Sequence, residues 1–210
     1  VPRPTYHHGD LRPALLAAAR GLIERTGPSG TTLRAIARDA GVSPAAPYHH
    51  FADRDHLLAA LAAEGFEELG VAMTRSAARV PRGQPLRRLQ VAGVAYVRFA
   101  LRNPELFRLM FSGMLEDRST YPDLERAATE AFGVLQRLLG SAATPRTRPD
   151  AAALAAWSTV HGLAVLLIEG RLGHLSGAQA ERIARDVTRV LGVGLRSAVG
   201  PSSGAEDGSR

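Results

Sequence analysis

The chain has 210 residues, of which 45% are hydrophobic and 22% charged, and a net charge of +6. It contains no cysteine, which excludes disulfides, thiolate nucleophiles and cysteine-ligated zinc. Apolar runs are expected to fall short of the ~18 residues a membrane span needs, and no signal-peptide pattern opens the sequence. The expectation is a cytoplasmic protein with no membrane partner, long enough for one large or two small domains.

All 26 basic residues are arginine, and the isoelectric point is about 10.8. Charge alone points to the wrong place for a polyanion. Residues 1–56 hold seven arginines against five acids, whereas residues 79–108 hold seven against one, Glu105. A lysine-free, Ala/Arg-rich composition fits a GC-rich coding sequence better than a binding requirement.

In chain order, residues 1–9 form a polar arm. His7, His8 and Asp10 have the chemistry of metal ligands, but nothing nearby adds a further fixed ligand; no metal and no cofactor are expected. Asp10 is placed to cap a helix running to about Arg25, with Leu11, Leu15, Ala18, Ala19, Leu22 and Ile23 on its apolar face. Gly27 and Pro28 end it. The run Gly-Pro-Ser-Gly-Thr-Thr at 27–32 lacks the lysine and the preceding strand of a phosphate loop.

Residues 31–51, TTLRAIARDAGVSPAAPYHHF, read as two short helices joined by a tight turn. Thr32 can cap the first helix, and Leu33, Ile36 and Ala37 share one face. Gly41 can take the positive φ that ends the helix, and Val42 fills the angle. Ser43 is expected to cap the second helix, with Pro44 at its first position. This order matches a helix-turn-helix that lays its second helix in the DNA major groove. An ordinary hairpin in a helical bundle is the plain alternative.

Beyond it, Asp53 is expected to cap a long helix to about Arg79, followed by a hinge at 81–85. Further helices are expected at 86–102, after 103–104, and at 122–139, 150–172 and 178–199. Residues 142–149 read as a loop, and residues 200–210 as a disordered tail. The fold class is all-α with about nine helices. Residues 1–56 form a three-helix DNA-binding domain, and residues 57–199 a helical ligand-binding and dimerisation domain.

Candidate DNA contacts are Ala45, Ala46, Tyr48 and His49 on the recognition helix, with Thr32, Arg34, Ser43 and Arg54 placed for phosphates. His50 and Phe51 are expected to pack or bond within the unit. Candidate dimer contacts are Leu163 and Leu167 on one helix, and Ile183, Val187, Val190, Leu191 and Gly194 on the last. The first of these helices is apolar nearly all round, so it should be buried on two sides. Tyr96, Phe99, Phe107, Met110, Phe111 and Met114, with Trp157 and His161 one turn apart, are candidates for a small-molecule pocket. Plain core packing is the alternative for each.

The segments T-T-L-R-x-I-A-R-D-A-G-V-S, P-Y-H-H-F and D-R-D-H-L-L resemble the tetracycline-repressor (TetR) family of bacterial regulators. Trp157 to Gly162, containing Trp157, His161 and Gly162, is similar to the Trp-His-Gly signature of one of its C-terminal domain types. The segment from Tyr6 to Leu11 also looks like members with that domain. The resemblance implies a homodimer, a palindromic double-stranded operator and a small-molecule inducer. Pro47 departs from the family pattern, which has an aliphatic residue there; losing its N–H should tighten or kink the first turn of the recognition helix.

No defensible nucleophile, metal set or cofactor loop supports an enzyme. A helical ligand-binding or scaffold protein with a vestigial helix-turn-helix, and an activator rather than a repressor, remain the other readings.

Overall fold

The computed structural model describes residues 11–115, 117–140 and 149–199, and every element among them is helical. There are eight α-helices: α1 (Leu11–Thr26), α2 (Leu33–Asp39), α3 (Arg54–Ala78), α4 (Pro85–Arg102), α5 (Pro104–Met110), α6 (Pro122–Gly140), α7 (Pro149–Ile168) and α8 (Gly177–Val199). Three short 3-10 helices accompany them, at Ala46–His49, Gly113–Leu115 and Arg118–Thr120. The all-α expectation holds; eight α-helices stand where about nine were expected, because the recognition helix is one of the 3-10 segments. The arm with His7, His8 and Asp10, the loop at 142–148 and the tail at 200–210 lie outside the described residues.

Backbone contacts group the chain into two compact units, Val1–Ala72 with Phe99–Gly133, and Met73–Arg98 with Val134–Arg210. This grouping cuts inside α3, α4 and α6. The first unit extends beyond the helix-turn-helix because two short helices cannot bury a sufficient core by themselves.

The core of the first unit is aliphatic: Leu15 and Ile23 of α1, Ile36 of α2, Leu57, Leu58 and Leu61 of α3, and Leu106 and Leu109 of α5 are fully buried. Gly65 allows α5 to approach α3 closely; a Cβ there would lie 2.7 Å from Met110 Sδ. Arg20 of α1 forks onto Glu68 of α3 through two hydrogen bonds of 2.6 and 2.7 Å. The Leu106 N–H at the start of α5 donates to Glu24 Oε1 of α1 at 3.4 Å.

In the second unit, Gly93 of α4 plays the same part. A Cβ at this position would meet Thr188 Cγ2 of α8 at 2.8 Å and Val160 Cγ1 of α7 at 3.1 Å. Arg98 Nε donates to Glu181 Oε1 at 2.7 Å, and Gln90 Nε2 to the Arg185 carbonyl at 3.1 Å, so α4 and α8 are tied twice more. Ser176 and Gln179 form a capping box for α8, with bonds of 2.8 and 3.3 Å in opposite directions.

Two expectations about α7 are corrected. It ends at Ile168, not near Leu172, because Gly170 takes φ +66 and the Arg171 N–H reaches back to the Leu166 carbonyl at 2.9 Å. This is the glycine-terminated helix end seen when a left-handed residue satisfies the last carbonyls. The stretch Ala151–Ile168 is moreover long and apolar enough to cross a membrane, with a mean hydropathy of 1.8 over 18 residues, of which 28% are buried. Ser158, Thr159 and His161 interrupt it without adding an acid or a strong base. Its apolar residues divide between the unit's core and an exposed face described below.

Candidate nucleic-acid interface

Helix α2 begins as expected. The Thr32 hydroxyl oxygen accepts the Ala35 N–H at 3.2 Å, and Leu33, Ile36 and Ala37 are buried. It ends at Gly41, φ +70, where the Val42 N–H bonds to the Ala37 carbonyl at 2.9 Å and the Gly41 N–H to the Arg38 carbonyl at 3.1 Å. Both bonds of a Schellman closure are present, so the turn angle is set by backbone geometry. An ion pair between Arg25 and Asp39 holds the end of α1 to the end of α2.

The recognition element differs from expectation in kind. Ala46–His49 is a 3-10 helix whose N-cap is Ala45, with no side-chain cap bond. The expected Ser43 cap is therefore not formed, and the proline in its first turn is Pro47, not Pro44. The physical reason lies in Pro47, which has no N–H to offer the Ser43 carbonyl. That carbonyl accepts instead from Ala46 N–H at 3.0 Å, one residue earlier, and the i to i+3 pattern continues with Tyr48 N–H to the Ala45 carbonyl at 3.2 Å. His50 and Phe51 N–H both reach the Pro47 carbonyl at 3.0 Å. Pro47 itself is buried. The expected tightening extends over the whole element.

A tighter helix spaces side chains differently, three per turn with i and i+3 in line. Tyr48 is 57% exposed. Ala45 and His49 are exposed beside it, and Ala46 is half-buried. Thr32, Arg34 and Ser43 are exposed as well. His50, expected to bond within the unit, has an exposed side chain, whereas Phe51 is buried with the Arg12 guanidinium carbon 5.4 Å from its ring centre. Asp53 caps α3 as expected, its Oδ1 accepting the His56 N–H at 2.8 Å.

Arg54, a candidate phosphate contact, is bonded within its own unit. Its Nε donates to the Thr31 carbonyl at 2.6 Å, Nη2 to the Pro28 carbonyl at 2.6 Å, and Nη1 to Asp55 Oδ1 at 2.9 Å. The side chain is turned onto the loop before α2. An arginine one residue after a cap gives no sign in sequence of which way it folds.

The eight candidate pocket residues separate into two groups. In the second unit, Tyr96 Oη lies 2.9 Å from His161 Nδ1 and accepts the Trp157 Nε1–H at 3.4 Å. Burial raises the Tyr96 hydroxyl above its ordinary value and lowers His161 below its own. In the first unit, the Phe107 and Phe111 rings lie 4.8 Å apart, tilted at 52°, and Phe111 meets Phe66 edge-on at 5.2 Å. Phe66 of α3, outside the candidate set, completes this cluster. Phe99 and Met110 are buried, whereas Met114 is exposed on the 3-10 helix Gly113–Leu115.

The dimer candidates divide by face. Leu163 is buried in its own unit. Leu167, Ile183, Val187 and Leu191 are half-buried, and Gly194 is exposed. Val190 is 70% exposed, and Leu154, Val165, Leu166 and Val193 join it as exposed apolar side chains. A helix apolar all round does not reveal which of its sides its own unit covers.

Two family profiles match the chain. "Bacterial regulatory proteins, tetR family" covers residues 15–61, and "Tetracyclin repressor-like, C-terminal domain" covers residues 89–191. Among solved structures, a protein of unknown function from Rhodococcus sp. RHA1 is 34% identical, with a TM-score of 0.79 over 92% of this chain and 99% of its own. The TetR family transcriptional regulator PfmR from Thermus thermophilus is 20% identical, with a TM-score of 0.64 over 87% of this chain and 97% of its own. FadR from Bacillus subtilis, solved in complex with stearoyl-CoA, is 13% identical, with a TM-score of 0.72 over 86% and 97%. The last two likenesses concern the fold alone. No curated protein sequence matches the chain.

Proposed function

Since the chain belongs to the TetR family of DNA-binding transcriptional regulators, we propose that it is a repressor that binds a palindromic operator as a homodimer and is released by a small molecule. The carrying observation is the exposed 3-10 helix, which holds Tyr48 and His49 in solvent at the end of a Schellman-closed turn. Ala45 and Ala46 offer methyl contacts and close approach; Tyr48 and His49 can reach base edges or phosphates. Thr32, Arg34 and Ser43 hold phosphates in this reading. Part of the specificity then comes from DNA shape, since few long side chains are available.

The homodimer uses the outward faces of α7 and α8. Leu154, Val165, Leu166, Val190 and Val193 expose apolar surface there, and a Cβ added at Gly162 or Gly194 would meet nothing within 4 Å. Such a face supports a four-helix interface that would otherwise remain wetted. A two-fold dimer places two recognition elements for successive major grooves, ~34–36 Å apart or a modest multiple.

The effector has an apolar body and a group that accepts or donates one hydrogen bond. That reading is supported by the Tyr96–Trp157–His161 chain of the second unit, where a half-buried imidazole and a buried phenol lie among apolar side chains. Helix α3 contributes residues to both units and is the lever through which an effector would change operator affinity. The site of action is the cytoplasm, where the operator is.

Selection of bound duplexes from a random pool tests the reading. Recovery of a palindrome with half-site spacing near one helical turn or a modest multiple, and a steep salt dependence, is the expected result. Failure to enrich any sequence at low salt would leave a scaffold with a vestigial helix-turn-helix. Activation in place of repression would appear as reporter gain when the selected site lies upstream of a promoter.

A further inference from the structure

Arg54 is the first residue of α3, whose N-terminus Asp53 caps through the His56 N–H. Its guanidinium uses three of its edges at once: on Thr31 O and Pro28 O, both at 2.6 Å, and on Asp55 Oδ1 at 2.9 Å. The receiving loop is itself ordered. Thr31 is buried, its hydroxyl donates to the Gly27 carbonyl at 3.0 Å, and its N–H to the Pro28 carbonyl at 3.3 Å. Thr32 immediately begins α2 as its cap. Arg54 and Thr31 therefore join the two ends of the segment that contains α2, the Gly41 turn and the 3-10 recognition helix.

Closure of this kind has a purpose here. The four-residue helix Ala46–His49 has no side-chain cap and few internal bonds, so little within it resists rotation. Its orientation relative to α2 depends on the Gly41 turn at one end and on where the chain enters α3 at the other. Charge-assisted bonds to two carbonyls, in the planar fork that arginine alone supplies, fix the second end.

We infer that Arg54 is a positioning residue for operator recognition, which closes the helix-turn-helix segment onto the Pro28–Thr31 carbonyls and so sets how Tyr48 and His49 are presented to DNA. It rests on the DNA-binding reading, and wild-type binding to the selected operator is the control that separates failure of one from failure of the other.

The test uses the full chain and the selected operator, with Arg54→Lys, Arg54→Gln and Asp55→Asn. For each, affinity for the operator and for a scrambled duplex, the salt slope of operator binding, and the melting temperature are measured. Both Arg54 variants are expected to weaken operator binding by about ten- to a hundred-fold, with scrambled-duplex binding within about twofold of wild type. Lysine keeps the charge but cannot span two carbonyls, so it fails to rescue. If lysine restores wild-type affinity while glutamine makes the salt slope shallower by about one, Arg54 holds a phosphate and the proposal is overturned. Equal losses on both duplexes, in step with a lowered folded fraction, also overturn it. Asp55→Asn keeps the arginine but turns one of its charge-paired bonds into a bond to a neutral amide, and covers the case in which the Arg54 variants do not fold. A fall in the ratio of specific to non-specific affinity supports the proposal, and an unchanged or raised ratio overturns it.

Discussion

Tyr96 Oη lies 2.9 Å from His161 Nδ1, and the indole N–H of Trp157 donates to the same oxygen at 3.4 Å. An indole nitrogen only donates, so Tyr96 accepts from Trp157, and its hydroxyl also shares a hydrogen bond with His161 Nδ1. Burial favours the neutral form of both partners, holding His161 below its usual pKa and the Tyr96 hydroxyl above its own.

The first prediction concerns acid. His161 has a folded-state pKa below its ordinary value of 6.5. The unfolded chain takes up this proton first, so the stability due to neutral His161 is complete above about pH 6.5 and is lost as pH falls through that value. Urea midpoints measured from pH 8 to pH 5 should fall for the wild type. His161→Gln should show a smaller fall over the same range; an identical pH profile would remove His161 from the balance.

Gly93 provides a packing test. Its alanine variant gains about 1 kcal/mol of helix propensity but forces a methyl to within 2.8 Å of the buried Thr188 Cγ2. Overpacking of this kind costs about 1–3 kcal/mol, so Gly93→Ala should be destabilised by a net ~1 kcal/mol in denaturant titrations. Thr188→Ser removes that methyl and retains a hydroxyl for the 2.6 Å bond to the Ala184 carbonyl. The double variant should recover at least half of the loss, which a double-mutant cycle would report as coupling.

Replacing Pro47 tests the recognition element. In Pro47→Ala an N–H becomes available to the Ser43 carbonyl, and the first turn can take the α-helical pattern. Side chains at 48 and 49 then rotate relative to α2. Repeating the selection with this variant should return an altered half-site at positions facing Tyr48 and His49. The same half-site bound with the same affinity would show that the 3-10 geometry does not set the readout.

Val190 tests the proposed dimer face. At 70% exposure an aspartate is readily hydrated in a lone subunit, so Val190→Asp should change the thermal midpoint little. In a dimer it would be buried without a partner charge, a loss of several kcal/mol. Sedimentation should therefore show a monomer where the wild type is a dimer, and affinity for the full palindrome should fall toward that for one half-site. A variant that still sediments as a dimer would place the interface elsewhere.

Much of the architecture could be read from local chemistry. Gly41 and Gly27 carry positive φ, at +70 and +71, because helix ends need a left-handed residue and only glycine takes that conformation without strain. The Thr32 and Asp53 caps are equally local, since each requires an oxygen three residues ahead of an unpaired N–H. Pro47 announced an atypical turn for the same kind of reason. How far the tightening ran was less legible, because it depended on where the Ser43 carbonyl found another donor.

Fold class, helix order, family and the position of the recognition element thus follow from the amino-acid order, because capping, apolar period and turn chemistry act over four residues or fewer. Three matters depended on the folded chain. Arg54 turns inward to Pro28 and Thr31, more than twenty residues back. Tyr96 joins Trp157 and His161 across 61 and 65 residues. Leu163 faces the core while Leu166, three positions on, faces out. Each is a choice among partners that sequence leaves equivalent, made only when distant helices supply the carbonyl, the hydroxyl or the covering surface.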